Sequence, residues 1–292
     1  MTSIAQALAE AARIRLDRID AQLLLLHALG RSGSDRAWLL AHDGDVLAPT
    51  EQDAFSERIR RRANGEPVAY ILGRKEFFGL DLVVDPRVLV PRPDTETLVD
   101  WALAVIPALT RDPGAARPWI ADQARNDLLS VIDLGTGSGA IALAIKSRCS
   151  QAQVEATDNS PGALEVARGN AGRLGLDIAF RGAAWLGGAG RYDLIVSNPP
   201  YVAQGDPHLA ALAYEPITAL AAGPDGLRDI RAIVSQAPSH LHPGGWLLLE
   251  HGYDQADAVR CLLAAAGFRS VSSRRDLSGI ERCSGGQWLE LG

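Results

Sequence analysis

Along the first 65 or so residues, apolar positions return every three to four residues in 4–12, 19–29, 36–41 and 50–62, the spacing of short amphipathic helices. The stretches "GRSGSD" and "DGDVLAPT" supply caps and turns between them. This pattern predicts a small helical domain over residues 1–75. The next stretch, "EFFGLDLVVDPRVLVPRPDTE", alternates or runs apolar. It predicts a β-hairpin linker over 76–92 and a proline-rich turn that opens a helix at Asp94.

Residues 110–127, rich in Pro, Ala, Arg and Asp, carry no period and predict an irregular surface connection. From Leu128 the chain alternates. "LLSVIDLG", "AQVEATD", "DIAF", "YDLIVSN", "GGWLLLEHG", "FRSVSSRRD" and "GQWLELG" have the apolar character of strands, separated in their first part by helical segments. Alternation of this kind predicts an α/β domain over 93–292, with a mostly parallel sheet covered on both faces. Ligands of such sheets bind at the carboxyl ends of the strands.

Composition narrows the function classes. The chain has 292 residues, enough for a large and a small unit, and no run of eighteen apolar residues that would suggest a membrane span. The first twenty residues mix acids with arginines and lack a cleavage pattern, so a cytoplasmic protein is expected. Cys149, Cys261 and Cys283 have no paired spacing, and the one close histidine pair, His240 and His242, sits beside "PGG". Neither a disulfide framework nor a metal site is expected. Net charge is −6, and residues 1–75 hold eleven basic and ten acidic side chains, which leaves −7 on the remainder. A phosphate backbone is repelled by that balance, so nucleic acid is not an expected partner.

The loop "VIDLGTGSGAIALA" places Gly135, Gly137 and Gly139 at the turn from the first strand into the first helix. Glycines there let a ligand approach the main chain closely. Asp158 ends the next strand, where a carboxylate accepts hydrogen bonds from ribose hydroxyls, so an adenosine-containing cofactor is indicated. The spacing is G-x-G-x-G with Asp133 two residues ahead, and neither a P-loop nor a G-x-S-x-G nucleophile elbow occurs. This arrangement resembles the S-adenosylmethionine site of class I methyltransferases, whose fold is a Rossmann-like, mostly parallel sheet.

The strand "YDLIVS" runs into Asn198-Pro199-Pro200-Tyr201. A conjugated amide nitrogen is a poor nucleophile because its lone pair is delocalised. Two acceptors aimed at its N–H bonds would hold it in line with a methyl donor. The Asn198 side-chain oxygen and the Pro199 carbonyl are such acceptors, and consecutive prolines stiffen the loop that carries them. Tyr201 is expected to cover the planar group by stacking. Orientation supplies most of the acceleration, with no strong base required.

The tetrapeptide resembles the [DN]-P-P-[YF] motif of amino-group methyltransferases. "VLVPRPDTE", "DLGTGSGAIALA", "YEPITAL", "HPGGWLLLEHGYDQ" and "RDLSGIER" resemble the HemK family, bacterial enzymes that methylate the glutamine of the Gly-Gly-Gln motif in class 1 peptide chain release factors. The resemblance spans nearly the whole chain. It implies S-adenosylmethionine bound by Gly135, Thr136, Gly137, Ser138, Gly139 and Asp158, with Asn198 adjoining, and Trp185 packed near the adenine or buried as core. It implies a substrate glutamine clamped by Asn198, Pro199, Pro200 and Tyr201, and an active-site mouth lined by Arg92 and Glu96. A monomer that docks the release factor on its helical domain is expected.

Rival readings are methylation of a ribosomal protein glutamine, methylation of adenine or guanine in nucleic acid, a dehydrogenase, or a non-catalytic protein that kept the fold. The loop between Tyr201 and Glu215 is shorter than the family pattern. "SGGQW" (284–288) contains the substrate tripeptide and is read as a glycine turn before the last strand.

Overall fold

The computed structural model describes residues 2–109 and 128–289, so the expected irregular connection at 110–127 lies outside the described residues. The chain divides into two compact units, Met1–Lys75 and Glu76–Gly292.

The first unit holds helices α1 (Ile4–Arg13), α2 (Arg18–Ala28), α3 (Arg36–Ala41), α4 (Pro49–Ala63) and α5 (Val68–Leu72). Their starts are chemically marked. Ser3 and Gln6 form a reciprocal capping box, and the Asp17 carboxylate accepts from the Ile19 amide at 2.8 Å. Leu24, Leu25, Leu26, Leu39, Phe55 and Ile59 fill the core between the helices. Helix α5 was not expected, because "VAYIL" is too short to display a helical period.

A two-stranded sheet, β1 (Arg74–Phe77) and β2 (Leu80–Val83), turns through Phe78 (φ 52°) and Gly79 (φ 79°). Left-handed backbone at both positions is what a two-residue hairpin turn requires. The hairpin is narrower than the expected 76–92. Pro86, Pro91 and Pro93 remove ladder donors from its continuation, and residues 84–92 belong to no strand. A short 3₁₀ turn over Pro93–Thr95 then leads into α6 (Glu96–Leu109).

The large sheet is built from β3 (Ser130–Leu134), β4 (Gln153–Asp158), β5 (Ala179–Gly182), β6 (Tyr192–Ser197), β7 (Leu241–Glu250), β8 (Arg269–Arg275) and β9 (Glu281–Gln287). Spatial order is β5-β4-β3-β6-β7-β9-β8, with β9 antiparallel to both β7 and β8 and the others parallel. Intervening helices are α7 (Ala140–Arg148), α8 (Pro161–Leu174), α9 (Arg228–His240) and α10 (Ala256–Ala265). Alternate strand residues feed opposite faces. Val131, Leu194, Val196 and Leu248 pack with α6 and α7, whereas Ile132, Ile195, Leu247 and Leu249 pack with α9 and α10. Each fully buried Leu or Ile contributes about 2 kcal/mol by leaving water.

The last strand corrects one expectation. Ser284–Gln287 lies inside β9, and no turn forms there. A Cβ on Gly285 would meet Leu248 Cδ2 at 2.5 Å and the Leu247 carbonyl at 2.7 Å, and one on Gly286 would meet Phe268 Cβ at 2.8 Å. These glycines serve close packing within the sheet. Strand order reverses between β3 and β6, and the carboxyl ends around that switch point are where the cavity lies.

Candidate functional site

A cavity of about 720 Å³ opens there, walled by Gly135–Ser138, Asp158–Ser160, Ala183–Trp185, Asn198, Pro200 and the segment Pro216–Ala219. Its floor is the glycine loop. Gly135 (φ 69°) and Gly137 (φ 56°) adopt left-handed backbone that other residues disfavour. The Thr136 amide donates to the Thr157 carbonyl at 2.9 Å, and the Gly137 amide donates to Asp158 Oδ2 at 2.9 Å. The loop is thus strapped to β4, with Asp158 facing the cavity.

Trp185 stands between the core and the cavity. Its indole packs against the core cluster on the α9 face and also lines the cavity, where a Cβ on Gly135 would meet its Cζ3 at 3.3 Å. Gly139 is different from its neighbours. It caps α7 at φ 86° outside the cavity lining, and a Cβ there would meet Leu143 Cδ1 at 3.0 Å and Ala167 Cβ at 3.3 Å. It serves the close packing of α7 on α8.

Asp133 is fully buried. Its Oδ2 accepts from Thr136 Oγ1 at 2.6 Å and the Ala142 amide at 3.2 Å, while Oδ1 has no partner among the described residues. Burial pushes its pKa up to about 7, against the opposing hydrogen bonds.

Strand β6 ends with the Ser197 hydroxyl donating to the Leu134 carbonyl at 2.7 Å, which delivers Asn198 to the cavity beside the glycine loop. Asn198 Nδ2 donates to Thr95 Oγ1 at 3.3 Å. Its Oδ1 is buried and has no partner among the described residues. Leaving such an acceptor unpaired costs about 1–3 kcal/mol, so its persistence reads as a place kept for a ligand donor.

Pro200 lines the cavity; Pro199 and Tyr201 do not. The Tyr201 ring packs against the core, and its hydroxyl donates to Glu250 Oε1 at 3.4 Å. Burial first, and then the nearby Glu250 carboxyl, push the phenol far above its ordinary pKa, so it stays a neutral donor. The ring and hydroxyl tie this loop to the core and to β7. The Tyr201 carbonyl accepts from Gln255 Nε2 at 3.0 Å, and Val202 pairs with 220–222 through bonds of 2.8 and 2.9 Å.

Arg92 lines the cavity and pairs with Glu215, whose carboxylate also accepts from the Val90 amide at 3.0 Å. Glu96 does not reach the lining. Its Oε1 accepts from the Phe78 amide at 3.0 Å, which pins the hairpin turn to the start of α6. Sequence reasoning missed Thr95, Glu215, Glu250 and Gln255. "PRPDTE", "YEPITAL" and "LLLEHGYDQ" contain them, but no local pattern gives them a task.

An adenosylated sulfonium cofactor fits these residues: Gly135 and Trp185 line the cavity in close contact with no side chain between them, Asp158 offers acceptors, and the buried Asn198 Oδ1 has no partner among the described residues.

Comparison with known proteins agrees. Residues 1–73 match the PrmC N-terminal domain, and residues 120–221 match the methyltransferase small domain. The release factor glutamine methyltransferase of Bordetella pertussis is 49% identical over 276 residues, covering 93% of this chain and 95% of that protein. Its namesake in Xylella fastidiosa strain Temecula1 is 46% identical over 286 residues, covering 96% and 97%. Among solved structures, a methyltransferase from Pyrococcus furiosus shares the fold at TM-score 0.52 and 21% identity, covering 80% of this chain and 99% of that one. The T. thermophilus 16S rRNA N2 G1207 methyltransferase, solved with AdoMet and guanosine, matches at TM-score 0.50 and 17% identity, covering 74% and 49%.

Proposed function

The chain belongs to the release factor glutamine methyltransferases, and from that premise we propose that it methylates the side-chain amide nitrogen of the glutamine in the Gly-Gly-Gln motif of class 1 release factors. The observation that carries this reading is Asn198 Oδ1, a buried acceptor without a partner among the described residues, on a residue that lines the cavity.

When bound, S-adenosylmethionine supplies an electrophilic methyl group. Gly135, Thr136, Gly137 and Ser138 would hold it through their backbone, Asp158 would accept from its ribose, and Trp185 would give its adenine an apolar face. Asn198 Oδ1 accepts one N–H of the substrate amide, which sets the nitrogen's orientation before reaction. The fixed dipoles of this loop would favour the positive charge that grows on the nitrogen as it takes the methyl group released by the sulfonium, and the displaced amide proton would pass to water. Tyr201, tied to Glu250 and Gln255, keeps the loop from retreating.

The helical unit is proposed as the docking surface for the release factor; its match to the PrmC N-terminal domain and the exposed Ile14, Ile19, Leu40 and Val46 support this. We assign the active form as a monomer working in the cytoplasm without nucleic acid. The excess of acidic side chains in 76–292 supports the last point. No helix among the described residues is long and apolar enough to cross a membrane.

Asn198→Ala tests the clamp. Turnover on a purified release factor is expected to be nearly abolished while S-adenosylmethionine affinity, measured by calorimetry, changes little. Equal turnover in mutant and parent would reject it.

A further inference from the structure

Asparagine is an unexpected residue in the body of a buried helix. Its short carboxamide competes for backbone hydrogen bonds and disfavours the helical state, and burying it without partners costs free energy. Asn170 is nevertheless fully buried in α8. Neither helix formation nor apolar packing accounts for it, so its hydrogen bonds must.

Those bonds run to two other parts of the unit. Nδ2 donates to the Ser138 carbonyl at 3.0 Å and to the Val83 carbonyl at 2.9 Å, and Oδ1 accepts from the Val83 amide at 2.8 Å. Val83, the last residue of β2, thus bonds through both of its backbone groups to one carboxamide, which takes the place of a neighbouring strand. Arg173, one turn further along α8, donates to the Asp81 carbonyl and holds β2 at a second point. The way round of the Asn170 carboxamide is fixed, because two carbonyls can meet only its N–H groups and an amide can meet only its oxygen.

Both partners lead to the cavity. Ser138 lines it at the end of the glycine loop, whose Thr136 and Gly137 amides are tied to β4 and whose Ser138 carbonyl is tied to α8 by Asn170. The chain that follows Val83 supplies Arg87, Val88, Leu89, Pro91 and Arg92 to the same lining. Asn170 and Val83 themselves lie outside it. One buried side chain therefore joins the floor that carries the glycines to the segment that leads into the wall.

Resting on the proposed placement of S-adenosylmethionine on the glycine loop, we infer that Asn170 is a positioning residue for the cofactor, holding the Ser138 carbonyl and the backbone of Val83 in one frame. It acts through those two residues and touches no reacting group. Cofactor binding and the order of the chain at Val83 are then linked.

The test compares Asn170→Asp with the parent. The carboxylate keeps the shape and the acceptor for Val83 but sets an oxygen, in place of a donor, against both carbonyls. Leu263→Val is the control for stability alone, because Leu263 is buried in α10 and lines no part of the cavity. Calorimetry with S-adenosylmethionine is expected to give a Kd about 10-fold higher in Asn170→Asp, as when about one molecule in ten holds the loop correctly. Leu263→Val should keep the Kd of the parent. On a purified release factor, kcat of Asn170→Asp at saturating cofactor is expected to be preserved, since a loss of binding alone raises KM. In the parent, S-adenosylmethionine is expected to slow amide exchange at Val83 together with Gly137, and in Asn170→Asp to slow it at Gly137 alone. A Kd in Asn170→Asp equal to that of the parent or of Leu263→Val would overturn the inference, as would exchange at Val83 that ignores the cofactor while Gly137 responds. Both outcomes leave the placement of the cofactor standing. Should binding slow neither amide, the placement would fall and the inference with it. An Asn170→Asp chain that fails to fold leaves the decision to the exchange measured in the parent.

Discussion

Gly226 lies outside every motif of the cofactor loop, yet its replacement by alanine is expected to damage catalysis. The residue sits at φ 71°, and a Cβ built on it would collide with the carbonyl oxygen of Tyr201, approach the carbonyl carbon to 3.0 Å and Gln255 Nε2 to 2.7 Å. Relief requires the Gln255 amide to retreat by some 0.7 Å, the gap between 2.7 Å and the 3.4 Å at which ordinary contact begins. That amide is the donor to the Tyr201 carbonyl, so the Asn198–Tyr201 loop moves with it. Displacements approaching 1 Å can cost about 100-fold in rate. The left-handed backbone adds roughly 1–2 kcal/mol, and with the strain a total near 2 kcal/mol corresponds to a fall in Tm of about 4–8 °C for a unit of this size. Gly279→Ala is the control, because Gly279 also has positive φ (80°) but nothing within 4 Å of where the alanine methyl would stand. It should show a backbone cost alone, about 1 kcal/mol, with kcat preserved. The assay is thermal unfolding together with kcat on a release factor. Gly226→Ala with the Tm and kcat of the parent, or indistinguishable in kcat from Gly279→Ala, would refute the reasoning.

Further outcomes follow from the buried charges and packing. Glu250 is fully buried and its pKa is pushed up to about 7 by desolvation, so the folded state holds a proton that the unfolded chain has released between about pH 4.5 and 7. Stability is therefore lost as pH rises through that window. The Tm of the parent relative to Glu250→Gln should fall from pH 5 to pH 8.5 by the equivalent of at most about 3 kcal/mol, and a difference independent of pH would contradict this. Glu215→Ala strands the Val90 amide and the Arg92 guanidinium; a loss of about 1–3 kcal/mol in denaturant unfolding and a raised KM for the release factor are expected, and unchanged values of both would show that Glu215 does not hold the 90–92 segment in place. Gly285→Val should fail to fold or lose several kcal/mol, because Leu248 and Trp101 already fill the space, and a Tm equal to the parent's would show that β9 is not packed as described.

What was legible in the sequence is what is local. Strand and helix periods, the glycine turn with Asp158 ahead on the next strand, and Asn198-Pro199-Pro200-Tyr201 each announce themselves within a few residues. The supports of the site do not. Asn198 meets Thr95 across 103 positions, Val90 meets Glu215 across 125, and Tyr201 meets Glu250 across 49. Only the sheet topology brings these together. Glycine misled for a related reason: Ser284–Gln287 has turn composition, but the close approach of Leu248 and Phe268 to β9 is a property of the packed sheet. Trp185 could not be assigned to core or site because its indole faces both.

The central claim is met most directly by incubating the protein with labelled S-adenosylmethionine and a purified class 1 release factor, beside a Gln→Ala variant of its Gly-Gly-Gln motif, ribosomal protein and duplex DNA. Label entering the intact release factor alone is the predicted result. Label in the Gln→Ala variant, in ribosomal protein or in DNA, with none in the intact release factor's glutamine, would contradict the substrate assigned here.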